Sequence, residues 1–221
     1  MKKPAGVLFD LDGTIVDSAP DYIAALNQLL RDEGRDEVDF EVARGSVSRG
    51  AYALLALGFG EEGKSPARMK LRERLLEIYS NALTERSTLF HGVIDVLDAI
   101  EQRGITWAIV TNKPTFLTIP VVEHFRLSRR AAAIVCGDTL EVAKPSPEPL
   151  YHACQQASLD PTETVMVGDA LCDIQAGNAA GAKTVVATYG YTVEAIDVAQ
   201  WGADYSIDSP IELLKLIGID S

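Results

Sequence analysis

The sequence predicts an α/β fold: a doubly wound, Rossmann-like parallel sheet with a helical cap domain inserted between its first and second strands. Three observations point to it. Short, almost wholly apolar runs rich in β-branched residues recur along the chain, helical patterns separate them, and one long interval holds helical patterns only. Runs that are apolar throughout read as strands covered on both faces, the condition of a parallel sheet. Alternation of such strands with helices gives the doubly wound arrangement.

The first run is AGVLF at 5–9, and Asp10, Asp12, Gly13 and Thr14 follow it at once. From 18 to 83 no strand-like run occurs. Tyr22, Ile23, Leu26, Leu29 and Leu30 recur at helical spacing, then Tyr52, Leu55 and Phe59, then Leu71, Leu75, Ile78 and Ala82. Residues 17–85 are therefore assigned to the cap, and 1–16 with 86–221 to the core. Val93, Val96, Leu97 and Ile100 share a helical face that stops at Gly104. The second run, ITWAIVT at 105–111, ends in Thr111, with Asn112 and Lys113 next. The third, AAIVC at 132–136, leads through a loop to Lys144-Pro145. There Ser146 reads as an N-cap and Pro147 as the first helical residue, ahead of an apolar stripe of Leu150, Ala153, Cys154 and Ala157. The fourth, TVMVG at 164–168, delivers Asp169, and the next helix carries Asp173 and stops at Gly181, a C-cap. KTVVAT at 183–188 is the fifth.

Composition narrows the function. Of 221 residues 47% are hydrophobic and 24% charged, enough for a proper core, and the formal net charge is −12. Such a surface disfavours nucleic acid and anionic membrane as partners, since phosphate-backbone binding needs clustered Lys and Arg. A small anionic substrate requires one pocket that supplies cations against the global field. Three scattered cysteines suggest neither a disulfide framework nor zinc. Asp10 ends the first apolar run too early for a signal peptide, and no run is long enough to span a membrane. The expectation is a cytoplasmic protein; its oligomeric state is not readable.

Asp10 and Asp12 pose a problem, because like charges repel and aspartate is a poor strand former. Ligands of open α/β sheets bind at the carboxyl ends of the strands. Each residue there has an ordinary explanation as turn, cap or solvated lysine, yet all of them fall at the same end of successive strands. Residues i and i+2 leave a strand on the same side, so Asp10 and Asp12 can share a pocket if a cation offsets their repulsion. Mg²⁺, a hard ion taking carboxylates, waters and substrate phosphate, suits that pocket. Asp10 is then placed to attack phosphorus, and Asp12 to protonate the leaving oxygen and later accept a proton from water. Gly13, Thr111, Asn112 and Lys144 are phosphate-binding candidates, Asp169 a metal ligand, and Asp173 a support for the metal or for Lys144. The stretch ARGSVSRG at 43–50 offers Arg44 and Arg49 to a substrate carboxylate.

The ordered set Asp10-Leu11-Asp12-Gly13-Thr14, Thr111-Asn112, Lys144-Pro145 and Gly168-Asp169 with Asp173 resembles the four motifs of the haloacid dehalogenase superfamily. DGTIVDS, VTNKP and the late YGY look most like its phosphoglycolate phosphatases. STLFHGV, ITWAIVTNKP and WGAD resemble more narrowly its N-acetylmuramate 6-phosphate phosphatases. His91 departs from the proline that many relatives carry before the glycine. The resemblance implies Asp10 as nucleophile, Asp12 as acid/base, and Mg²⁺ on Asp10, the Asp12 carbonyl and Asp169, acting on a small-molecule phosphate monoester. The cap is expected to close over substrate and exclude water, with hinges near 15–18 and 83–92. A dehalogenase has no need of Asp12. A sugar-phosphate mutase and a non-catalytic phosphate-binding module are the alternatives.

Overall fold

The computed structural model describes residues 3–60, 65–192 and 198–219. Within them, β1 (Gly6–Phe9), β4 (Thr106–Val110), β5 (Ile134–Val135), β6 (Thr164–Gly168), β7 (Lys183–Ala187) and β8 (Tyr205–Ile207) form one sheet in the order β5-β4-β1-β6-β7-β8. Every pairing in it is parallel. The remaining strands, β2 (Val16–Asp17) and β3 (Thr88–Leu89), form a separate antiparallel ribbon.

Side-chain alternation explains the winding. Val7, Phe9, Trp107, Ile109, Val165 and Val167 point to one face, where they pack with Val93, Val96, Leu97 and Ile100 of α5 (Val93–Gln102). α6 (Thr115–His124) and α9 (Glu212–Leu216) contribute Val121, Val122, Leu213 and Leu214 to the same layer. Leu8, Ala108, Val110 and Met166 point the other way, onto α7 (Glu148–Ala157) and α8 (Leu171–Ala180). Period-two alternation with apolar residues on both faces is the two-sided burial that the runs required.

Among the described residues four α-helices lie between β2 and β3: α1 (Ala19–Asp32), α2 (Phe40–Arg44), α3 (Ala51–Phe59) and α4 (Pro66–Asn81), with a single 3-10 turn at Val47–Arg49. They share their own apolar cluster, including Leu26, Leu29, Leu30, Leu54, Leu55, Leu75 and Tyr79; among the described residues the core adds buried Leu117 and Tyr191 to it and packs Phe90 against it. α2 has no counterpart in the sequence reading. It is short, and Asp39 starts it by accepting from the Glu41 and Val42 backbone N–H groups.

Three further details differ from expectation. Ser146 is not an N-cap: α7 begins at Glu148 with Pro147 as the cap residue, and the Ser146 hydroxyl is 3.5 Å from the Glu148 nitrogen. Its first turn is set instead by the Pro147 carbonyl, which accepts from Leu150 and Tyr151. β8 escaped notice because YSI is short, at the sheet edge and mostly exposed. The third apolar run contributes only Ile134 and Val135 to the sheet. Among the described residues no helix is long and apolar enough to cross a membrane.

The chain enters and leaves the helical unit through the β2–β3 ribbon, where segments 15–18 and 83–92 meet. Tyr191 clasps the entry: its hydroxyl oxygen accepts from the Ser18 and Ala19 N–H groups at 2.7 and 2.9 Å and lies 2.9 Å from Asp17 Oδ1. Buried Asp21 of α1 clasps the exit by accepting from the Arg86 and Ser87 N–H groups at 2.8 and 2.9 Å. Tyr191→Phe leaves two buried donors without their acceptor. It is expected to destabilise the fold by about 1–3 kcal/mol, read as a shift in the midpoint of urea unfolding with an unchanged slope.

Candidate active site

β1 is flanked by β4 and β6, with Phe9 in register with Ile109 and Val167, so the residues that follow these strands emerge together. Asp10 continues the ladder by donating its N–H to Val167 at 2.9 Å, and Thr111 does so to Val135 at 2.9 Å. From the loop before α7, Lys144 reaches under this edge. Its ammonium lies 2.8 Å from Asp10 Oδ1 and 2.7 Å from Asp173 Oδ1, and donates to the Val110 carbonyl at 2.5 Å. Lys144 is 4% exposed and Asp173 fully buried. Burial works against the ammonium, but Asp10 and Asp173 outweigh it and hold its pKa above the usual lysine value.

Asp10, Asp169 and Asp173 can each place one oxygen within 4.8 Å of the others. Burial, reinforced by Asp173 and opposed by Lys144, pushes the Asp10 carboxyl up to about 7. Burial together with Asp10 and Asp173 pushes Asp169 up to about 8. One ammonium does not balance three buried carboxylates, and the donor set is all hard oxygen, so the cluster fits a small divalent cation. Asp169 is held by the Tyr191 N–H at 3.0 Å and by the hydroxyl of Ser48, which reaches over from the helical unit at 2.6 Å.

Gly13 makes this closeness possible. Its φ is +86°, and a Cβ there would lie 2.3 Å from Asp169 Oδ2.

Asp12 stands apart from the cluster. Its carboxylate accepts from Ser18 at 2.5 Å and from the Lys113 ammonium at 3.0 and 3.2 Å. Lys113 also donates to the Tyr79 hydroxyl of α4 at 2.7 Å, and Tyr79 stacks on Tyr22 of α1 with centroids 4.3 Å apart. Burial opposes the Lys113 charge, but Asp12 and Tyr79 hold its pKa above the ordinary value.

Other expected residues are placed differently from one another. Thr111 uses its hydroxyl to accept from the Lys113 N–H at 3.1 Å. Asn112 lines the cleft, yet both ends of its amide bond the Lys144 backbone, at 2.9 and 3.0 Å. Arg49 lines the cleft, whereas Arg44 donates to the Gly190 and Tyr189 carbonyls at 2.7 and 3.4 Å and lies over the Tyr191 ring. Sequence reasoning passed over Ser48, Tyr79, Arg72 and the pairing of Lys113 with Asp12. Only Lys113 carried a signal, its place directly after a strand end.

A cleft of about 310 Å³ lies between the strand ends and the helical unit, with Asp10, Asp12 and Lys144 on one wall and Arg49, Tyr52, Arg72 and Tyr79 on the other.

Known proteins resemble this chain over nearly its whole length. The model of the haloacid dehalogenase-like hydrolases matches residues 7–187. An N-acetylmuramic acid 6-phosphate phosphatase of Pseudomonas putida is 39% identical over 211 residues, covering 96% of this chain and 95% of that protein. A phosphoglycolate phosphatase of Xanthomonas campestris is 38% identical over 213 residues, 96% of each. The crystal structure of a predicted phosphoglycolate phosphatase from Haemophilus somnus superposes with a TM-score of 0.86 at 30% identity, covering 98% of this chain and 99% of that one. With a match of this length and relatives aligned almost end to end, the chain belongs to the haloacid dehalogenase-like hydrolase family, among its phosphoric monoester hydrolases.

Proposed function

We propose that the protein is a Mg²⁺-dependent phosphomonoesterase working through an aspartyl-phosphate on Asp10. Its substrate is a small carboxylate-bearing phosphate monoester, N-acetylmuramate 6-phosphate or 2-phosphoglycolate, after the names of its relatives. One observation carries the reaction: the Asp10 carboxylate, opening on the cleft, is ion-paired at 2.8 Å to a lysine that is itself fixed by Asp173. The three unpaired cysteines support a reducing, cytoplasmic setting.

In the first half-reaction an Asp10 oxygen attacks phosphorus while the bond from phosphorus to the ester oxygen breaks. Asp12 delivers a proton to that oxygen, so the product leaves as an alcohol. Lys144 neutralises charge beside the nucleophile, and Thr111 and the amides after Gly13 present donors to the phosphoryl oxygens. In the second half Asp12, now a carboxylate, takes a proton from water as that water attacks phosphorus. The bond to Asp10 breaks, and inorganic phosphate leaves. Ser18 and Lys113 hold the Asp12 side chain in position. Mg²⁺, held by Asp10, Asp169 and the Asp12 carbonyl with Asp173 behind them, would offset the clustered negative charge and polarise the phosphoryl group. Cap helices shut over the cleft would keep other water out.

Phosphate release from a panel of 2-phosphoglycolate, N-acetylmuramate 6-phosphate, hexose 6-phosphates and nucleoside monophosphates tests the reading. Turnover of at least one ester, abolished by EDTA and by Asp10→Asn, is expected. Folded, metal-loaded protein that releases phosphate from none of them would sink it.

Gly13→Ala should lower that turnover by about 100-fold or more, because displacing Asp169 misplaces the reacting groups. Gly34→Ala is its control: Gly34 has φ +66°, but nothing lies within 4 Å of the added carbon.

A melting experiment isolates the metal. The ordinary value of both raised carboxyls is 3.8. As pH climbs from about 4 to about 8 the unfolded chain loses these protons first, so the metal-free fold loses stability over that window. A cation replaces the protons and needs the carboxylates ionised. The gain in melting temperature with Mg²⁺ over EDTA should therefore be larger at about pH 8 than at about pH 5.5, by about 4 °C or more. An equal gain at both pH values would place the ion elsewhere.

A further inference from the structure

α4 presents a line of side chains toward the cleft. Arg72, Leu76 and Tyr79 fall at i, i+4 and i+7 and all three border it. Tyr79 marks the catalytic end, since its hydroxyl meets the lysine that holds Asp12. Arg72 lies seven residues earlier, which along a helix is about 10 Å.

Two observations show that this outer end calls for an anion. Half-buried Arg72 has its guanidinium over the Tyr52 ring, 5.6 Å from the centroid, and makes no ion pair among the described residues. One turn before it, Arg68 is only 4% exposed, and neither of its terminal nitrogens has a hydrogen-bond partner among the described residues. A buried guanidinium without acceptors is costly, and a second cation at i+4 on the same face adds repulsion. A negative group brought to Arg72, which lines the cleft, would relieve the repulsion between the two.

We propose that Arg72, backed by Arg68, receives the carboxylate of the substrate and selects esters whose carboxylate stands about one sugar ring from the phosphorus. This rests on the phosphatase reading of the same cleft. In 2-phosphoglycolate the carboxylate is separated from phosphorus by a short chain of about 4 Å, so that acid cannot occupy both ends. A phosphosugar with its carboxylate on the far side of the ring spans them, and Tyr52 beside Arg72 offers an aromatic surface to the ring between. Arginine rather than lysine is suited to the role, since its planar fork meets a carboxylate with two hydrogen bonds.

The test compares N-acetylmuramate 6-phosphate with N-acetylglucosamine 6-phosphate, the same phosphosugar without the lactyl carboxylate. The parent is expected to favour the first. Arg72→Met should lower kcat/KM for the first by about 10- to 100-fold, mostly through KM, and for the second by less than about threefold, within the scatter of weak contacts. Arg72→Lys should recover part of the loss. Arg68→Met should weaken the preference while raising the melting temperature, because it removes a buried charge whose terminal nitrogens have no partner among the described residues. An equal fall on both substrates, or no fall on either, overturns the assignment of Arg72. A parent that prefers 2-phosphoglycolate to both sugars overturns the distance selection and leaves the phosphatase reading intact. A parent that hydrolyses no ester overturns both.

Discussion

The catalytic edge depends on one buried ammonium. Lys144 sits between Asp10 and Asp173 with almost no contact with water, so its charge is kept by the two carboxylates it pairs with. Removing one partner would leave an uncompensated charge in a medium that solvates it poorly. The surroundings serve this contact. Asn112 grips the Lys144 backbone from the end of β4, and Asp173 closes the first turn of α8 by accepting from Ala170 at 3.0 Å. Three separate stretches of chain are thereby locked around the nucleophile, and the excess negative charge that remains is what a divalent cation answers.

A second polar layer joins the core to the helical unit. Ser48 reaches Asp169, Tyr79 reaches Lys113, and Arg44 reaches the Gly190 carbonyl. Two of these contacts end on groups that take part in the proposed chemistry or hold one that does. The apolar contribution across the same boundary is smaller, Leu117, Tyr191 and partly buried Phe90 being the described core residues that pack with the helical cluster. Polar contacts exchange readily with water, whereas buried apolar area does not. The boundary is thus of a kind that separates at low cost, as a cleft that must admit substrate requires.

How much was legible follows from where the information resides. Asp10, Thr111, Lys144, Asp169 and Asp173 were legible because parallel strands export whatever follows them to one edge, and the apolar runs mark the strands. Asp12 was legible as a residue of that edge, but its separation from the carboxylate cluster was not, since that depends on Lys113 and Ser18 claiming its oxygens. The cap arginines show the same limit. Arg44 and Arg49 stand five residues apart in one short stretch, yet the turn through Val47–Arg49 sends one to the cleft and the other to Tyr191. Arg72 lay hidden in a helix whose many charges mask which face is inward; only docking of α4 over the strand ends singles it out. Long-range pairings of this sort have no local pattern to read.

The chain passes into the helical unit and back through a single point. Asp17 faces Thr88 across the ribbon of β2 and β3, one strand spacing of about 4.8 Å apart. An insert whose ends nearly touch imposes no strain on the sheet that carries it, whatever its length. A two-residue turn from Asp17 to Thr88 would close an ordinary hairpin there, and a foreign helical bundle spliced at the same pair would overlook the same nucleophile. The ribbon is thus a graft point, at which selectivity can be exchanged wholesale while the machinery beneath is kept.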